Sequence, residues 1–352
     1  MPTATALIRT LHAAGMAEPA GYAESSGGRK PRRFRFRPGG ACTIGVAVHP
    51  ERVEAVRADL DLKVLDTCEV PFGRADQAAL MAAVGEACER LARVAGIAAG
   101  AGSVSSAPVL AGVGVSLPGI VDEERGLLTE APNLLLDEIS LGAFAVPPGL
   151  TGGAVDFENE ANAAALAESW GSVLERGESL AFVSVSEGVG VGVMLDGRLY
   201  RGVRYRAGEF GHVPIPGARR RCNCGSIGCW EQYASQTALL RLWNARRSDL
   251  DGLVLAVNAG QARALRVVGR YGAVVAMGLR NVIRCLDAPT VVIGGPVAGL
   301  GEPLLEAVRN ALGTSPMESP PPRITLSRLG PHAAALGAAV LPLWRRFPIV
   351  SP

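Results

Sequence analysis

The sequence predicts an α/β protein in two lobes, each built on the same plan. Three observations carry this reading. A meander of three short apolar or alternating segments begins at Cys42, and a second one begins near Ser179. After each meander, helical periodicity alternates with further strand segments. The chain has 352 residues, enough for two domains with a cleft between them; one large α/β domain is the competing reading.

In chain order, PTATALIRTLHAAG (2–15) predicts a helix with Leu7, Ile8 and Leu11 on one face and a glycine stop. A turn-rich loop from Gly21 leads into RFRFR, whose alternation suits a short strand or ribbon, and Gly39-Gly40 marks a linker. The first meander takes residues 42–48, 52–60 and 62–70, followed by a helix over about 76–94. An Ala/Gly/Ser-rich loop (95–107) precedes a strand at 109–116 and the turn Leu117-Pro118-Gly119. The second meander takes 180–186, 188–195 and 198–202, with Asp196-Gly197 as a hairpin turn. Helices over about 233–246 and 260–285, a buried strand at 290–295, a further helix and a strand at 323–329 complete the pattern.

Composition removes several function classes. With 48% hydrophobic and 19% charged residues the chain is a folded domain, not a disordered one. No run reaches the roughly 18 apolar residues of a membrane span. The N-terminus lacks the form of a signal peptide, so a cytoplasmic location and no membrane partner are expected. A net charge of +2 argues against a general polyanion binder. The charge is uneven, however: Arg29, Lys30, Arg32, Arg33, Arg35 and Arg37 stand close together with no acid among them. Of the seven cysteines, Cys42, Cys68, Cys88 and Cys285 lie among apolar residues and read as small buried side chains. The other three crowd into one loop.

That loop, GEFGHVPIPGARRRCNCGSIGCWEQ, carries the strongest chemical signal. His212, Cys222, Cys224 and Cys229 supply one imidazole and three thiolates, the ligand set of a closed tetrahedral zinc site. Gly225 and Gly228 let the chain curl between them, and Arg219, Arg220 and Arg221 would favour thiolate formation. Four protein ligands leave no open position, so Zn2+ is expected to be structural. A redox pair is the alternative for an isolated Cys-x-Cys. Glu209 and Glu231 flank the clip and are candidate acceptors for the vicinal hydroxyls of a sugar, the alternative being two solvated charges.

Gly208 to Glu231 resembles the signature of the ROK family of sugar kinases and sugar-responsive repressors. The likeness continues through Gly112–Gly119, Ala131-Pro132-Asn133-Leu134, Glu158–Ala165, Leu195–Tyr200 and Val292–Gly295. The resemblance implies an actin-like, ribonuclease H-like duplicated fold with a sugar in the cleft. It implies sugar contacts at Asn159, Glu160, Glu209, His212 and Glu231, with His212 shared by the zinc. The implied division is 42–155 for the first lobe, rejoined by a C-terminal helix at 331–346, and 156–330 for the second lobe with the zinc site. It also implies a homodimer or homotetramer.

The departures from the kinase pattern decide the expected function. Glu160 stands where the kinases carry their aspartate base; its longer side chain would misplace the carboxylate, and about 1 Å can cost roughly a hundredfold in rate. Ala47-Val48-His49-Pro50-Glu51 replaces the Asp-x-Gly-Gly-Thr phosphate loop, and Ser186-Glu187-Gly188 replaces Gly-Thr-Gly. Each substitution brings an acid towards the phosphates. No catalytic residue is therefore assigned.

Residues 1–38 resemble part of a winged helix-turn-helix: 2–15 its recognition helix and 27–33 its wing, where Arg29, Lys30, Arg32 and Arg33 would contact DNA phosphates. Two earlier helices of that motif are absent, which points either to a start codon upstream of Met1 or to a regulator that no longer binds DNA. The expected function is a transcriptional regulator, most simply a repressor, responsive to a hexose or N-acetylhexosamine. Its DNA partner requires a complete N-terminal domain. The alternatives are an ATP-dependent sugar kinase and a sugar sensor acting through protein partners.

Overall fold

The computed structural model describes residues 4–13, 15–23, 31–73, 76–96, 109–144, 146–147, 150, 155–171, 179–244, 249–314 and 320–346. Helix α1 (Ala4–Ala13) is followed by a two-stranded antiparallel ribbon, β1 (Ala17–Tyr22) and β2 (Arg32–Phe36). His12 ties helix to ribbon: its Nδ1 lies 2.8 Å from the Ala17 carbonyl, and its ring meets Phe34 edge-on. The alternation in RFRFR thus does form a strand. Its partner β1 was hidden from a sequence reading by Pro19 and Gly21.

The first large sheet takes β3 (Ala41–Val48), β4 (Arg52–Asp59), β5 (Val64–Pro71), β6 (Val109–Leu117) and β10 (Val155–Asn159) in the order β10-β6-β3-β4-β5. β3 is buried along its whole length, as a central strand of apolar and small residues must be. Helix α2 (Gln77–Val94), capped by Asp76, packs on this sheet. Between β6 and β10 a small antiparallel sheet forms from β7 (Ile120–Asp122), β8 (Leu127–Ala131) and β9 (Leu136–Ser140). After β10 comes helix α3 (Glu160–Gly171).

The second sheet takes β11 (Leu180–Val185), β12 (Val189–Leu195), β13 (Arg198–Leu199), β14 (Thr290–Gly294) and β15 (Arg323–Leu326) in the order β13-β12-β11-β14-β15. Counted from its first strand, each sheet reads 3-2-1-4-5, with an antiparallel meander joined to two parallel strands. This repeated topology is the two-lobed, actin-like α/β duplication. The third segment of the second meander is shorter than expected: pairing stops at Leu199, and residues 200–208 form a turn-rich loop.

Helices α4 (Glu231–Ala234), α5 (Gln236–Trp243), α6 (Leu250–Asn258), α7 (Ala262–Leu286) and α8 (Glu302–Leu312) pack against the second sheet around Trp230 and Tyr271. The single helix expected over 233–246 is broken at Ser235, whose extended backbone and hydroxyl instead cap α5 through Ala238 N–H. The final helix α9 (Ala333–Arg346) lies between the sheets beside α3. Alanines on both helices allow this close approach, and Gly45 of β3 faces Ala335 and Ala339 with no room for a side chain. Cys42 and Cys88 are buried and Cys68 is half-buried, but Cys285 at the end of α7 is exposed, contrary to expectation. No helix among the described residues is long and apolar enough to cross a membrane.

Candidate ligand cleft and metal centre

The metal centre is built by local hydrogen bonds. Cys229 and Pro214 form an isolated β-bridge, Trp230 N–H donates to the Val213 carbonyl, and Ile215 N–H donates to that of Gly228. These bonds return the chain to within reach of His212. At the far end, Cys222 N–H donates to Ser226 O and Gly225 N–H to Cys222 O, closing a tight turn. Gly225 and Gly228 hold φ of 87° and 85°, values that a side chain disfavours, so both glycines are required by the turns. Trp230 is fully buried, donates from Nε1 to the Val274 carbonyl, and anchors the loop to α7.

The donor atoms of His212, Cys222, Cys224 and Cys229 all lie within 4.8 Å of one another. Sulfur to sulfur, Cys224 and Cys229 are 3.7 Å apart; Cys222 Sγ lies 3.5 Å from His212 Nδ1. A tetrahedral centre with Zn–S bonds of about 2.3 Å separates its sulfurs by about 3.8 Å, so the donors fit zinc as they stand. Burial opposes ionisation at Cys224, but hydrogen bonds from Ser226 outweigh it and bring the thiol down to about 7. At Cys229 burial and the neighbouring thiols push it up to about 12, so metal binding must displace that proton. Of the three arginines before Cys222, Arg220 stacks 4.5 Å over the Tyr233 ring and donates to the Gln232 carbonyl.

Beside this clip a cleft of about 370 Å³ opens between the two halves. It brings together all five expected sugar contacts, Asn159, Glu160, Glu209, His212 and Glu231. Glu231 begins α4 and is buried; its Oε2 accepts from Val189 N–H at 3.2 Å, and its Oε1 faces the Cys222 thiol. Gly188 permits this approach, because a Cβ there would sit 2.6 Å from Glu231 Oε2. Glu209 Oε2 lies 3.6 Å from His212 Nε2, the ring nitrogen turned away from the metal donors. Asn159 caps α3: its Oδ1 accepts from the N–H groups of Ala161 and Asn162, while Nδ2 donates to Gly119 O. Only one amide hydrogen of Asn159 is left for a ligand. Burial pushes the Glu160 carboxyl up to about 6; His49 opposes this, while Glu187, Glu231 and Glu209 reinforce it.

Two charged lining residues escaped the sequence reading, Glu130 of β8 and Arg206 of the 200–208 loop, which meet at the cleft as a bidentate ion pair. Nothing in the sequence links positions so far apart. In the segment that stands in place of the phosphate loop, His49 Nε2 lies 3.2 Å from buried Glu54, which also pairs with His332. Glu54 is desolvated, yet these two imidazoles hold it below the usual carboxylate range. Of the expected DNA contacts, Arg32 and Arg33 are exposed on β2, whereas Arg29 and Lys30 lie outside the described residues.

Comparison with known proteins places this geometry. The model of the ROK family matches residues 51–344. The xylose repressor of Bacillus subtilis (strain 168) is 26% identical over 345 residues, covering 95% of this chain and 85% of that protein. The crystal structure of a ROK family glucokinase from Streptomyces griseus, in complex with glucose and AMPPNP, is 26% identical. It superposes with a TM-score of 0.72 over 86% of this chain and 99% of that one. A ROK family transcriptional regulator, a homologue of the E. coli MLC protein, shares the fold at TM-score 0.74 and 22% identity, over 96% of this chain and 87% of its own.

Proposed function

The chain belongs to the ROK family of sugar-binding proteins, which holds repressors and kinases, and from that premise we propose that it is a sugar-responsive transcriptional regulator. It would bind a hexose or hexose derivative in the cleft without phosphorylating it. One observation carries this reading: the charge of the cleft. Glu130, Glu160, Glu209 and Glu231 line it, and the lone cation among the described lining residues, Arg206, is spent on Glu130. Such a surface offers acceptors to neutral hydroxyls, and Glu187, in the segment that replaces the second phosphate loop, opposes the phosphates of ATP beside it.

In this reading the chain's own groups do the recognition. Glu231, fixed by Val189 N–H, keeps lone pairs for a hydroxyl. Zinc supplies a rigid anchor for the loop; with His212 Nδ1 facing the metal donors, Nε2 carries the proton and donates towards Glu209 and the ligand. Sugar drawing on both halves favours the closed arrangement and so shifts the population that presents the DNA-binding surface. Arg32 and Arg33 would contact phosphates within a homodimer or homotetramer.

The kinase reading is favoured by one feature, the carboxylate of Glu160 in the cleft. An ATP-coupled assay over a hexose panel separates the two: turnover above about 1 s⁻¹, inside the ordinary enzyme range, would overturn the regulator. The positive test is salt-dependent binding to the DNA upstream of its own coding sequence, released or tightened by sugar. Sugar binding without DNA binding at low salt would favour a sensor acting through protein partners.

A further inference from the structure

The cleft does not end at the zinc loop. A second chamber of about 280 Å³ opens beside it, and Pro132, Asn133 and Asn223 line both. Its polar lining is completed by Gln232, Ser235, Thr237, Arg241 and Glu187. Two of its lining residues, Pro50 and Glu187, belong to the segments 47–51 and 186–188 that depart from the kinase pattern. Leu135, held at φ 59° and 64% exposed, adds an apolar surface at the same chamber.

The chemistry of this lining selects its occupant. Three carboxamides present donors and acceptors together, which suits hydroxyls that both give and take hydrogen bonds. Arg241 is the one cation among the described lining residues, and Glu187 shares the chamber with it. The adjoining cleft adds Glu160 and Glu231, so an anionic group would enter against three carboxylates. A wholly apolar ligand would strand the amides. A pyranose ring, with hydroxyls on its rim and a C–H face for Pro132 and Leu135, meets both demands.

We propose that this chamber is a second sugar subsite and that the effector is a neutral disaccharide or longer saccharide, one unit in the cleft and the next against Asn133, Gln232, Thr237 and Arg241. The inference rests on the cleft itself being the site of the first sugar unit. Calorimetric titration of the full chain with matched pairs tests it: glucose against cellobiose and maltose, xylose against xylobiose, and glucose 6-phosphate as the anionic arm. At least one disaccharide is expected to bind about tenfold or more tighter than its monosaccharide, the gain of one or two added hydrogen bonds. Thr237→Phe, which fills the chamber, and Arg241→Ala, on an exposed helix position, should each erase that gain and leave monosaccharide affinity unchanged. Monosaccharide binding with no gain for any disaccharide overturns the second subsite alone, as does tighter binding of glucose 6-phosphate than of every disaccharide. Failure of every sugar to bind overturns the reading of the cleft as well.

Discussion

Glu160 shows how one side chain is set by its neighbours. Burial raises its carboxyl to about 6, against about 4.3 in an unfolded chain. A carboxyl whose folded value is the higher one binds its proton more tightly when folded, so it costs stability as pH rises from about 4.3 through 6. Above that window the cost is complete, about 2 kcal/mol at roughly 1.4 kcal/mol per unit. Glu160→Gln should therefore be more stable than the parent at pH 7.5 by that order, with the difference closing by about pH 4. Denaturant unfolding at the two pH values checks this; an equal difference at both would refute the role of ionisation. Gly188 makes the complementary case. Gly188→Ala drives a methyl group to 2.6 Å from Glu231 Oε2, so the carboxylate must move while the fold persists. Sugar affinity should fall about tenfold or more, the loss of one charge-assisted hydrogen bond, with an unchanged circular dichroism spectrum.

Among the elements, the zinc loop is the one whose function dictates its sequence, and it was legible for that reason. Four ligands must be Cys or His, and the turns between them at Gly225 and Gly228 need positive φ. The meanders were legible because central strands such as β3 require apolar residues throughout. Helix α3 gave no comparable signal: it is alanine-rich and packed between α9 and the second sheet, so no polar face marks its period. Ser235 broke a helix that periodicity ran straight through, because its hydroxyl finds a better partner at the cap. The Glu130–Arg206 pair was illegible because its halves meet only through tertiary structure. The zinc loop also yields the firmest element-level prediction. The purified chain should carry about one zinc per chain, and Cys224→Ser should lose it. Without metal, His212 and Glu231 lose their common support, so sugar affinity should fall together with the metal content. Elemental analysis paired with calorimetry reads both, and metal loss with unchanged affinity would break the proposed link between clip and cleft.

Across the whole molecule, two of the ion pairs among the described residues link the halves that sugar is proposed to draw together, and magnitudes separate their roles. Arg206–Glu130 is half-exposed on both sides, a class of pair worth about 0–1 kcal/mol and screened by salt. Arg201–Glu158 is different: Glu158 is 3% exposed, lies 2.6 Å from the Arg201 guanidinium, and also accepts from Asn159 N–H and Asn162 Nδ2. Removing one partner of such a buried pair costs about 3–5 kcal/mol, because the other charge is left without compensation. Glu158 also braces the turn that presents Asn159 and Glu160 to the cleft, so it belongs to the frame and not to the moving edge. Arg201→Ala, which strands the buried Glu158 carboxylate, should accordingly lower unfolding stability by about 3 kcal/mol or more. Glu130→Ala should change stability by less than about 1 kcal/mol, yet it removes an ion pair that links the two halves at the cleft. Its expected effect is faster sugar release, a few-fold in the dissociation rate at low ionic strength and fading at about 0.5 M salt, where screening shortens to a few ångströms. Stopped-flow release measured at both salt concentrations decides it. A salt-independent change would mean that Glu130 touches the sugar directly; no change at either salt would mean that closure is held by the buried pair and the α3–α9 packing alone.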